Sequence, residues 1–157
     1  MSSIERKQEL LLRTNAQHRQ ISELFEALHV AVETDCRMGP EAVGLLAQLV
    51  NVTEEHFRTE EEMMRLLPDW QQRLGWHIEQ HRVLLFELMK LREDAPRRNA
   101  GGNLRLLDYL GRWMVEHMTT VDRDLDELGV SARELDRDIL ELGATAHEPV
   151  PWVKSER

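Results

Sequence analysis

A single cysteine, Cys36, stands among the 157 residues, so no disulfide can form within the chain. That scarcity suits a reducing, cytoplasmic compartment. Aromatic residues make up only 5 %, with one tyrosine. Runs of β-branched residues are missing as well, which removes the usual signature of strands. No apolar run approaches the roughly 20 residues that a bilayer-spanning helix needs. Near the N-terminus, Glu5, Arg6, Lys7, Glu9 and Arg13 crowd out the apolar segment of a secretion signal. Basic charge is in deficit, with 20 Lys and Arg against 29 Asp and Glu, a formal net charge of -9. A surface of that sign repels phosphate backbones and anionic lipid, so neither nucleic acid nor a membrane is expected as a partner. Also missing are a Ser–His–Asp set, a phosphate-cradling glycine loop and a CxxC pair.

What the chain does have is helix-forming sequence cut by clear breakers. Gly39-Pro40, Leu67-Pro68-Asp69, the stretch from Ala95-Pro96 to Gly101-Gly102, and Gly129 divide it into four long segments without internal proline. The first runs from about Ile4 to Cys36, with Leu24, Phe25, Leu28 and Val32 at helical spacing. It reads either as one helix or as an arm over residues 4–13 and a new start capped at Thr14-Asn15. The second, about Pro40 to Leu66, places Val43, Leu46, Leu49 and Val50 on one stripe, and Pro40 suits a first helical turn. The third, about Trp70 to Glu93, carries Leu74, Ile78, Leu84, Leu85 and Leu88. The fourth, about Asn103 to Leu128, carries Leu106, Leu107, Leu110, Met114, Val121 and Leu125. Ser131 to Glu134 reads as a capping box that opens a short fifth helix to about Leu142, amphipathic through Leu135, Ile139, Leu140 and Leu142. The expected fold is all-α: an antiparallel up-down four-helix bundle with a short additional C-terminal helix. Residues 1–129 form its main domain, and 130–157 a helical extension and tail.

The seven histidines are placed tellingly. His18 falls near the middle of the first helix. His56 and Glu60 are four apart on the second, and His77 and His81 four apart on the third. His117 and Asp122 are five apart on the fourth. Residues four apart share a helix face and can reach one metal or one cluster. Imidazole suits iron, zinc and copper, and a carboxylate can bridge two metals. Five imidazoles and two carboxylates are too many for one ion and about right for two. A lone His-x-x-x-His pair is more often surface polarity. Here every long helix contributes, and the apolar neighbours Phe57, Trp76 and Trp113 place these positions beside a core. The five-residue step from His117 to Asp122 turns about 140° on an ideal helix, so a shared target predicts a widened π turn there, or extra side-chain reach.

The stretches Gln17-His18, His56-Phe57-Arg58-Thr59-Glu60-Glu61, His77-Ile78-Glu79-Gln80-His81 and Trp113 to Asp122 resemble the hemerythrin family, over about residues 14–128. All seven of that family's ligand positions are present in order. The resemblance implies a non-haem di-iron protein that binds dioxygen at a five-coordinate iron, as carrier, store or sensor. His77, His81 and His117 would hold one iron and His18 and His56 the other. Glu60 and Asp122, with an oxo or hydroxo group, would bridge them. An apolar pocket for dioxygen is expected from Ile21, Phe57, Leu110 and Trp113.

Other readings of the same residues stay open. A di-iron oxidase or peroxidase of the ferritin-like type wants Glu-x-x-His on two helices, and only Glu26 to His29 fits that pattern. Handling of nitric oxide or iron, with the segment 131–142 serving a protein partner or self-association, is a second. A metal that merely holds the bundle together is a third. His29 is expected to be a hydrogen-bonded histidine at the bundle end, His147 exposed, and Cys36 a small buried residue on the inner side of helix one. Glu61 and Glu62 are expected on a solvated face. Met63, Met64, Met114 and Met118 are expected to fill the core.

Overall fold

The computed structural model describes residues 3–127. The fifth helix expected over 131–142, and His147, lie outside the described residues. Four long α-helices follow one another: α1 (Ser3–Asp35), α2 (Pro40–Arg65), α3 (Gln71–Asp94) and α4 (Ala100–Glu127). No strand occurs among the described residues, and no described helix is long and apolar enough to cross a membrane. The fold is all-α, as the breaker pattern predicts.

The chain divides into two compact units, Met1–Leu110 and Gly111–Arg157. In the first, α1 is continuous, so of the two readings of the N-terminal segment the single helix holds. Nothing in Ser3–Asp35 breaks it, since the stretch has neither glycine nor proline. Thr14 caps nothing; its hydroxyl donates back to the Leu10 carbonyl at 2.9 Å, the i−4 bond that lets a threonine sit inside a helix. Leu10, Ile21, Leu28 and Val32 recur along the buried face of α1, and Leu46, Leu49, Phe57 and Met63 along that of α2, and the two helices pack on one another. α1 and α2 run antiparallel, because Arg6 reaches Glu62 while Gln17 reaches Thr59 and His18 reaches His56.

The α1–α2 turn is tight. Cys36 takes a left-handed φ of 50°. A Cβ on Gly39 would fall 2.5 Å from the Asp35 carboxylate, so a larger residue there would push that side chain aside, and Pro40 then starts α2. Cys36 is exposed, contrary to expectation. The helical projection assumed that α1 extends to Cys36, but the helix ends one residue earlier and the left-handed turn swings the thiol off the inner face. Val43 is also exposed rather than part of the α2 stripe.

A 3₁₀ turn at Pro68–Trp70 leads into α3, which buries His77, His81, Leu84, Leu88 and Leu91 on one side. A second, Ala95–Arg97, leads towards α4. There the buried Asn103 donates to the Ala95 carbonyl at 3.1 Å, and Asn99 Oδ1 accepts the Gly102 N–H at 2.7 Å. His29 Nε2 stands 3.3 Å from Asp108 Oδ1 on α4, an ion pair when the ring is protonated. In the second unit, α4 runs on as a regular α-helix with no π turn across 117–122. The widened turn expected at that step is therefore absent.

Candidate metal centre

The site in the first unit is built around Glu60. Its position on α2 repeats the inward face of Thr53, His56, Phe57 and Met63, so the carboxylate points into the core with 0 % exposure. Isolated burial of a carboxylate is costly unless cations or hydrogen-bond donors meet it. Two ring nitrogens from α3 face the same oxygen, Oε2: His77 Nε2 at 2.9 Å and His81 Nε2 at 2.8 Å. The four-residue step between these histidines stacks them on one helix face, with ring centroids 4.4 Å apart.

A second group shares the same carboxylate. His18 from α1 and His56 from α2 are buried, with ring centroids 4.7 Å apart and edge-on. One ligand atom from each of His18, His56 and Glu60 lies within 4.8 Å of the others. The same limit holds among Glu60, His77 and His81. Glu60 thus belongs to both groups, the position a bridging carboxylate must take.

The donor set fits a metal. Nitrogen and oxygen donors, with no thiolate among them, suit iron, zinc or copper rather than a hard cation such as calcium. His81 adds a finer indication, because both of its ring nitrogens face carboxylates: Nε2 that of Glu60, and Nδ1 that of Glu61 at 2.9 Å. With the neutral ring's one proton on Nδ1, Nε2 turns its lone pair towards Glu60. A cation seated between them converts that repulsion into coordination, with Glu61 orienting the ring from behind. Phe57 lies flat on His81, with centroids 3.8 Å apart and planes 5° apart, and fixes the ring's other degree of freedom.

Glu61 was hidden in the sequence as one of the two glutamates after Glu60 expected on a solvated face. It is only partly exposed and holds His81; Glu62 is bound by Arg6 through Nε at 3.0 Å and through Nη2. The signal that separates them is register: Glu61 falls on the side of α2 that meets α3, and Glu62 on the side that meets α1. Gln17 and Thr59, each just before a site residue, are buried and joined at 3.3 Å. Of the expected pocket residues, Ile21, Phe57 and Leu110 are buried.

His117 and Asp122 lie in the second unit, on α4. The His117 ring stacks on Trp113 one turn earlier, with centroids 5.1 Å apart and planes 12° apart. The Asp122 side chain lies outside the described part of the structure.

The chain matches the family model described as hemerythrin HHE cation binding domain, over residues 13–127. It is 36 % identical over 90 residues to a protein named myohemerythrin from Sipunculus nudus. That alignment covers 56 % of this chain and 66 % of the relative, just under two thirds of its length. No match to a solved structure was found.

Proposed function

This chain belongs to the hemerythrin HHE cation-binding family, and we propose that it holds two non-haem iron ions and binds dioxygen at them. The observation that carries this reading is the buried Glu60, common to a histidine pair from α3 and a second pair from α1 and α2. One carboxylate common to two imidazole groups supports a reading with two ions. His77 and His81 would hold one ion and His18 and His56 the other. His117 and Asp122 complete the two sets by their match to the family's ligand order. When bound, the irons would supply the electrons that dioxygen takes up on binding and returns on release.

The residues of the chain do the rest. Glu61 fixes the tautomer and direction of His81. Phe57 closes one face of that ring and keeps water from it. Ile21 and Leu110 add buried aliphatic wall, and an apolar lining offers no proton to a reduced ligand. Trp113 holds the His117 ring against its own helix.

The test is an optical spectrum of the iron-loaded, reduced protein before and after air, and again after oxygen is removed. A charge-transfer band that grows with oxygen and fades without it is the expected result. Iron that binds without any reversible band sinks the oxygen-binding reading and leaves oxidase or peroxidase chemistry.

A further inference from the structure

We propose that the outer face of α3 is a self-pairing surface, through which two copies of this chain associate antiparallel about a two-fold axis. The inner face of α3 is spent on His77, His81, Leu84, Leu88 and Leu91. On the opposite side, Trp76, Val83 and Phe86 stand exposed at 64, 49 and 62 %. At about 100° per residue, positions 76, 79, 83, 86, 90 and 93 form one stripe roughly 100° wide, centred about 150° from the buried face. Its alternating steps of three and four are those of a seam between paired helices. Scattered apolar residues on a surface need no explanation, but three large ones aligned on one stripe mark an interaction face.

The order of charges identifies the occupant. An isologous interface sets residue i opposite residue j and, by symmetry, j opposite i. With the axis between Leu84 and Leu85, Val83 meets Phe86 of the second copy, twice. Glu79 meets Lys90 of the second copy, also twice, and Trp76 comes beside its Glu93. An apolar centre is thus flanked on both sides by opposite charges. Parallel pairing in register would instead set Glu79 against Glu79 and Lys90 against Lys90, so the charges select the antiparallel arrangement. Both groups are available. Lys90 has no ion pair among the described residues. Glu79 has only Arg82 of its own helix at 3.6 Å, with both side chains well exposed, a contact of little strength. From 76 to 93 the stripe is about 26 Å long, and a helix is about 10 Å wide. Side chains interdigitate, so the accessible surface lost is roughly twice that flat strip, on the order of 500 Å² per copy, the low end for a specific interface, and the dimer is expected to be a micromolar one. This inference does not depend on the metal site.

The test is sedimentation equilibrium of the full chain from low micromolar to several hundred micromolar concentration. A reversible monomer–dimer equilibrium is expected. Glu79→Lys alone and Lys90→Glu alone should each weaken association by roughly tenfold, since each sets like charges opposite. The two exchanges together should restore it. Val83→Glu with Phe86→Glu should abolish it, with helicity by circular dichroism unchanged because all four positions lie on the solvent side. A chain that stays monomeric throughout overturns the proposal. So does a double exchange that associates no better than either single one.

Discussion

Glu61 stands behind His81, its Oε1 2.9 Å from Nδ1, on the side of the ring away from Glu60. The imidazole is thereby held between two consecutive residues of α2, one facing the cluster and one facing away. A glutamate that never touches a metal can in this way decide how well one is held.

Glu61→Ala is therefore expected to lower metal affinity about 10- to 100-fold while leaving the fold intact. Glu61→Gln keeps an acceptor for the Nδ1 proton and should recover part of the loss. A competition titration against a chelator of known affinity measures both, and equal affinity in all three proteins would refute the positioning role.

Replacing Glu60 acts at two levels. Without metal, Glu60→Ala removes the acceptor that faces His77 Nε2, so the apo protein should lose about 1–3 kcal/mol of stability. With metal, the bound iron per chain should fall below two. Elemental analysis after gel filtration decides the second point; an undiminished ratio of two would mean that Glu60 is not shared.

Phe57 tests the coupling of core and site. It is 2 % exposed and lies on His81, so Phe57→Ala should cost about 3–5 kcal/mol in urea unfolding. Phe57→Leu should cost less, yet still lower metal affinity because the ring no longer has a flat surface to rest on. A Leu variant with full affinity would show that only volume matters there.

One pH effect follows from the surface. Hydrogen bonding to Arg6 is the main cause that holds the Glu9 carboxyl below the usual glutamate range, with smaller help from Arg13. A depressed folded-state value stabilises the fold above the unfolded value, and that contribution disappears as pH falls through the folded value. The melting temperature of Glu9→Gln should thus lie slightly below that of the parent at neutral pH and converge with it in acid. Convergence on the alkaline side instead would contradict the assignment. Both partners are partly exposed, so the effect is small.

The helices and the histidine cluster were legible because both follow from spacing. Breakers such as Gly39-Pro40 end helices wherever they fall, and a step of four puts His77 over His81 whatever the neighbours are. What spacing could not show was the outcome of competition between local preferences. Thr14 has the chemistry of a cap and spends it on the Leu10 carbonyl instead. Cys36 looks inward on a helical projection and is turned out by one left-handed residue. Three successive glutamates look alike, yet one faces the core, one faces α3 and one faces α1, because each step along α2 turns by about 100°. The expected π turn at 117–122 failed for a related reason: it was inferred from a shared target, whereas the backbone there keeps its regular bonds.

The first third of α1 does more than its place in the sequence suggests. Similarity to the family begins at residue 13, but Leu10 and Leu11 are buried and Arg6 grips Glu62, two residues beyond Glu60. Trimming the chain to its recognisable portion would expose those leucines and release the turn of α2 that carries the shared carboxylate. The stretch held in common with relatives and the stretch that braces the site are of different lengths, and a minimal fragment should be cut by the second.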